Sequence, residues 1–117
     1  MIYADNAATT RMCRMAINTM LHFMETEYGN PSSLHTMGQI AAEALHTARE
    51  AMAIRLGCSP RGLTFTSGGS EANNQAILSA AAVGKAQGKK HIVSTAFEHH
   101  AVLHTLQKLE SQGFEVT

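Results

Sequence analysis

Cysteine is scarce in these 117 residues: Cys13 and Cys58 are its only two, far apart and in no Cys-x-x-Cys pair. That usage argues against a disulfide-stapled scaffold and fits a reducing compartment, with the cytoplasm as the default expectation. An excess of one charge is missing too, since nine Lys and Arg balance nine Asp and Glu, and the longest run of like charge is Lys89-Lys90. A nucleic-acid groove and a polybasic membrane anchor are thereby disfavoured. No stretch approaches the roughly 20 apolar residues of a membrane span, and Met1 to Asp5 lacks a basic region followed by an apolar one. The expectation is a chain with no membrane segment and no visible targeting signal. No internal repeat or low-complexity tract occurs. What remains is one domain or a piece of one, able to bury a little under ~70% of its unfolded surface, with small-molecule chemistry as the open class.

Asp5-Asn6-Ala7-Ala8-Thr9-Thr10 is small and polar, which favours a turn over regular structure. From Arg11 to about Glu27, Ile17, Met20, Leu21 and Met24 recur at helical spacing, so one face of a helix is apolar and its methionines read as core filler. Tyr28-Gly29-Asn30-Pro31-Ser32-Ser33 breaks that helix and offers Ser32 or Ser33 as N-cap of a second one, alanine-dense and ending at Gly57 before Pro60. Gly62-Leu63-Thr64-Phe65-Thr66 reads as a buried strand, Asn74 to Val83 as a helix, and Gly84 to Lys90 as a solvated link. His91 to Thr95 is a further strand, Ala101 to Gln112 a helix and Gly113 to Thr117 the start of another strand. Strand, helix, strand, helix, strand argues for a parallel sheet with helices on its faces, an α/β fold.

Ser67-Gly68-Gly69-Ser70 joins the expected first strand to its helix. Such a junction leaves several backbone N–H groups unpaired at the positive end of a helix dipole. Two adjacent glycines let a phosphate approach the main chain, and Ser70, expected at the N-cap, adds a hydroxyl donor. A plain Ser-capped turn with Glu71 in the first helical turn would have the same residues. Ligands of parallel sheets bind at the carboxyl ends of strands, which sets Ser67 to Ser70 and Thr95 to His99 at one crevice. Seven histidines invite a metal reading, with His100 and His104 at i, i+4. No third ligand follows from the spacing, and no metal is expected.

Four segments in order complete the reading: Tyr3 to Thr10, Gly29-Asn30-Pro31-Ser32-Ser33-Leu34-His35, Phe65-Thr66-Ser67-Gly68-Gly69-Ser70-Glu71-Ala72-Asn73-Asn74, and Glu98-His99 before an amphipathic helix. With them the chain resembles the N-terminal part of the NifS-like cysteine desulfurases, class V enzymes of pyridoxal-phosphate fold type I. The resemblance covers nearly the whole chain. It implies an incomplete three-layer, mostly parallel sheet of the transferase large domain over residues 29–117, with 1–28 belonging to the small domain. It further implies pyridoxal 5′-phosphate as cofactor, held through Gly69 and Ser70. Ser70 stands where the family more often has Thr. His99 would stack on the ring and assist proton transfer, and Asn6, Ala7, Ala8, Thr9 and Asn30 would lie near the substrate.

The family converts L-cysteine to L-alanine and an enzyme-bound persulfide, as a homodimer that passes sulfur to an acceptor or scaffold protein for iron–sulfur clusters or thio-cofactors. Its cofactor-anchoring lysine and nucleophilic cysteine match no residue here. None of Lys85, Lys89, Lys90 or Lys108 fits the anchor, and neither Cys13 nor Cys58 fits the nucleophile. The expectation is a portion of a desulfurase that is inactive by itself. Another class V enzyme such as a selenocysteine lyase, or a truncated non-catalytic module, is the alternative.

Overall fold

The computed structural model describes residues 2–117; Met1, the first residue of the expected apolar start, lies outside them. Among the described residues the chain forms four helices and two short strands, divided into two units, Met1–Leu63 and Thr64–Thr117. No helix among them is long and apolar enough to cross a membrane.

In the first unit, residues 6–8 form a turn closed on the Asp5 carbonyl. It accepts from the N–H groups of Ala8 (3.1 Å) and Thr9 (3.3 Å) and from the Tyr3 hydroxyl (3.0 Å). Helix α1 (Arg14–Glu25) is shorter than the Arg11 to Glu27 expected from periodicity. Cys13 is extended, and the N–H groups of Thr26 and Glu27 both fold back to the His22 carbonyl, which ends the helix. Its methionines are not core filler. α1 has no buried residue, and Met20, Phe23 and Met24 open on an apolar cleft of about 560 Å³ that Tyr28, Ala41 and Leu45 also line. Apolar periodicity reports which face avoids water and does not supply the surface that covers it.

Helix α2 (Thr36–Leu56) is capped by neither Ser32 nor Ser33 but by His35, whose ring Nδ1 accepts from the Gly38 N–H at 3.3 Å. The two serines are taken up by the preceding turn: Ser33 N–H donates to the Asn30 carbonyl (2.9 Å) and Ser32 N–H to the Asn30 side chain (3.0 Å). The turn lies so close to α2 that a Cβ on Gly29 would strike the Met37 carbonyl, and one on Gly38 the Ser33 and Asn30 carbonyls. Gly57 ends α2 in the left-handed conformation (φ 66°), as its place in the sequence implies. A 3-10 turn (Pro60–Gly62) follows, and the Arg49 guanidinium donates to the Leu63 carbonyl.

The second unit carries helix α3 (Gly69–Ala86), strand β1 (His91–Ile92), helix α4 (His100–Ser111) and strand β2 (Glu115–Val116). β1 and β2 pair in parallel, His91 against Glu115 and Ile92 against Val116. Backbone bonds extend the ladder at both ends, from Glu115 N–H to the Lys90 carbonyl (2.8 Å) and from Ser94 N–H to the Thr117 carbonyl (2.8 Å). The strand, helix, strand order with parallel pairing is the α/β arrangement read from the sequence, in small compass. Ala81 of α3, Leu109 of α4 and Phe114 form the core, with Ile77, Leu78 and Ile92 packed against them.

The expected strand over 62–66 is absent. Gly62 closes the 3-10 turn, Leu63 continues in extended conformation, and the sheet holds only β1 and β2. Phe65 is exposed instead of buried. A β-branched, aromatic run becomes a strand only when a neighbouring backbone pairs with it, and composition does not provide that neighbour. The solvated link is also shorter than expected, because α3 runs on to Ala86 before Gly88 turns the chain at φ 75°.

Candidate functional site

At its N-terminus α3 begins one residue earlier than the cap predicted from sequence. Gly68 is the N-cap, with no side-chain cap bond, and Gly69 and Ser70 are the first two helical residues. Ser70 is therefore not the cap, because Gly68 adopts an extended conformation (φ 165°, ψ 179°) and hands the cap position to a residue without a side chain. The first N–H groups of a helix lack acceptors within it. Along α3 the earliest helical bond runs from Ala72 N–H to the Gly68 carbonyl (3.1 Å), leaving those of Gly69, Ser70 and Glu71 aimed outward. A Cβ on Gly68 or Gly69 would meet nothing within 4 Å, so no neighbouring atom crowds these two residues.

Glu71 could compete with an anion here, but its carboxylate is turned away. It accepts from the N–H and from the hydroxyl of Ser67, each at 2.6 Å. The Ser67 hydroxyl and then its backbone N–H hold the Glu71 carboxyl below its ordinary value. This works like a capping box moved back one residue, and it occupies the donors of Ser67 while leaving those of Gly69 and Ser70.

His99 is the N-cap of α4, its ring Nδ1 accepting from the Ala101 N–H at 3.1 Å. That bond fixes the tautomer with the proton on Nε2. The loop before it is held by the Thr95 hydroxyl, which donates to Glu98 at 3.2 Å. Ser70 and His99 line one cleft of about 510 Å³, together with Asn74, His100, Ala101, His104, Thr105 and Lys108. No carboxylate lines it, while Lys108 and the positive end of α3 do, so the cleft suits an anion. The His100 and His104 rings stack at 5.4 Å, and among the described residues no group of three His, Cys, Asp or Glu is placed to hold a metal ion.

Of the residues singled out from sequence, Ser70 and His99 thus share a cleft in the second unit, with Gly69 next to Ser70 at the start of α3. Asn6, Ala7, Ala8, Thr9 and Asn30 belong to the first unit, all exposed, with the Asn30 side chain engaged in its own turn. Asn74 and Thr105 were missed. Asn74 bonds across to α4, and Thr105 is buried at 3% exposure. Their signal was a polar residue one helical turn beyond Ser70 and one helical turn beyond Ala101, the residue His99 caps.

The class-V aminotransferase family model matches residues 2–117. The chain belongs to that family. It is 44% identical over 116 residues to the cysteine desulfurase IscS of Methanosarcina thermophila, covering 99% of this chain and 28% of that protein. This class-V chain therefore spans less than a third of such a relative. Among solved structures it is similar to a NifS-like protein (TM-score 0.87, 38% identity, 96% of this chain and 30% of the other). It is also similar to SspA in complex with cysteine (TM-score 0.84, 37% identity, 95% of this chain and 32% of the other). The resemblance to NifS-like desulfurases read from the four segments agrees with these findings.

The donor set fits a phosphorylated cofactor. Backbone N–H groups at the start of an 18-residue helix, two uncrowded glycines and a serine hydroxyl suit a phosphate, and His99 lines the same cleft as Ser70.

Proposed function

We propose that this chain is the N-terminal part of a pyridoxal-phosphate-dependent cysteine desulfurase, with residues 29–117 contributing to the three-layer cofactor domain and 1–28 to the small domain. The observation that carries the reading is the cleft that Ser70 and His99 share, in a chain 44% identical to a desulfurase. When bound, pyridoxal phosphate supplies an electron-withdrawing ring that stabilises negative charge at the substrate carbon. The chain's own residues bind and orient. The N–H groups of Gly69 and Ser70 and the Ser70 hydroxyl hold the phosphate, and the α3 dipole favours its charge. His99, fixed by its bond to Ala101, offers a ring face for stacking and an Nε2 proton for exchange with substrate.

L-Cysteine is the substrate this reading assigns, in keeping with the cysteine bound to SspA, and a homodimer and a sulfur acceptor are the expected partners. Asn6, Ala7, Ala8, Thr9 and Asn30 shape the substrate side. The anchoring lysine and the persulfide-bearing cysteine are assigned to the part of the relatives that this chain does not span. The chain alone is accordingly a binding portion without turnover.

Titration of the chain with pyridoxal 5′-phosphate, followed by equilibrium dialysis, tests the binding role. Ser70→Ala and His99→Ala should each weaken binding about tenfold, the loss of one hydrogen bond to a charged group or of one stacking partner. Equal affinity for pyridoxal lacking the phosphate, or indifference to Ser70→Ala, would overturn it.

A further inference from the structure

Ser70 and His99 sit on different helices, so the length of ligand the cleft accepts depends on what sets those helices apart. Asn74 lies one turn beyond Ser70 on α3 and Thr105 one turn beyond Ala101 on α4. The Asn74 amide nitrogen donates to the Ser70 carbonyl at 2.8 Å and to the Ala101 carbonyl at 3.4 Å. The Thr105 hydroxyl, itself 2.8 Å from the Ala101 carbonyl, donates to the Asn74 side-chain oxygen at 2.7 Å. Both amide protons and the amide oxygen are thus used, and Asn74 links the first turn of α3 to α4 through the Ala101 carbonyl and the Thr105 hydroxyl. Asn74 is half-buried, Thr105 is 3% exposed, and no described buried side-chain polar atom is left unpaired.

We propose that Asn74 and Thr105 are a positioning pair that fixes the reach from the phosphate-holding turn to the His99 ring, and so selects a planar ring carrying a phosphate on a short arm. The inference rests on the cofactor reading above. Neither side chain needs to touch the ligand. Asn74 holds the carbonyl of Ser70, whose N–H and hydroxyl face the phosphate, while Ala101 supplies both the carbonyl that Asn74 grips and the N–H that His99 caps. One side chain therefore ties the back of one ligand-facing residue to the anchor of the other. A pair acting this way governs ligands that span both holds and leaves a ligand that uses one hold alone.

The test compares two probes on the full chain, pyridoxal 5′-phosphate and inorganic phosphate. With Thr105→Val or Asn74→Ala, pyridoxal phosphate should bind about tenfold more weakly while inorganic phosphate changes less than about twofold, and Thr105→Ser should keep the wild-type ratio. A parallel fall for both probes, or an unchanged ratio, would overturn the positioning role. If Asn74→Ala does not fold by circular dichroism, the Thr105→Val and Thr105→Ser comparison decides alone. A wild-type chain that fails to prefer pyridoxal phosphate over inorganic phosphate would instead remove the cofactor reading, and the positioning pair with it.

Discussion

Leu109 and Phe114 of the second unit are 3% and 7% exposed, whereas Met15, Leu34 and Ile54 of the first are 79%, 92% and 81% exposed. The second unit builds a small core from Ala81 of α3, Leu109 of α4 and Phe114, with Ile92 of β1 against it, and on that core it ties its two helices together. Among the described residues of the first unit the buried ones are Gly38 and Ala53, both small, and a glycine turn packs its backbone closely against α2. A side-chain core and a backbone lock respond differently to substitution, and the residues with ligand-facing geometry lie where the core is.

The largest expected contrast is therefore Phe114→Ala against a change on the first unit's apolar surface. Removing the Phe114 ring should cost about 3–5 kcal/mol by urea denaturation, since it deletes a core member. A loss under about 1 kcal/mol would mean that the second unit is no better packed than the first. Next comes Gly38→Ala, where the added methyl meets the Ser33 and Asn30 carbonyls. It should cost about 1–3 kcal/mol through overpacking, and a neutral result would show that the turn yields freely.

Smaller still is the contribution of Glu71, whose carboxyl is held below its ordinary value by Ser67. The folded chain thus favours the carboxylate more than the unfolded chain does. The contribution is complete above the unfolded glutamate titration and fades as pH falls through the lower folded value. Stability of the wild type relative to Glu71→Gln should accordingly shrink on acidification, and an advantage that grew in acid would contradict the Ser67 bonds. Ile54→Ser, on the exposed surface of α2, should move stability by less than about 0.5 kcal/mol.

Much of this was legible from residue types. Gly57 announced the end of α2, Asp5 to Thr10 announced a turn, and the alternation of His91–Ile92, α4 and Glu115–Val116 announced a parallel α/β unit. The glycine junction was legible as a helix start and Glu98-His99 as the approach to the next helix, whereas a ligand role for them came from the family resemblance. Local pattern failed where the outcome depends on a partner surface. Residues 62–66 have strand composition without a strand beside them, and the apolar face of α1 has no covering element. Caps failed for a related reason: Ser32, Ser33 and Ser70 are good cap types, yet His35 and Gly68 occupied the positions because the neighbouring turns had set the backbone first. Asn74 and Thr105 were passed over because their spacing within each helix does not reveal that the two pair across 31 residues of sequence.

The proposed cofactor site joins the start of α3, at Gly69 and Ser70, to the His99 ring through the cleft that Ser70 and His99 line. Amide and imidazole resonances followed by NMR during titration with pyridoxal 5′-phosphate test it most directly. Gly69, Ser70 and His99 signals should move together at one saturation, and pyridoxal without the phosphate should leave Gly69 and Ser70 in place. Saturable shifts confined to other residues, or movement of His99 without the two amides, would contradict it.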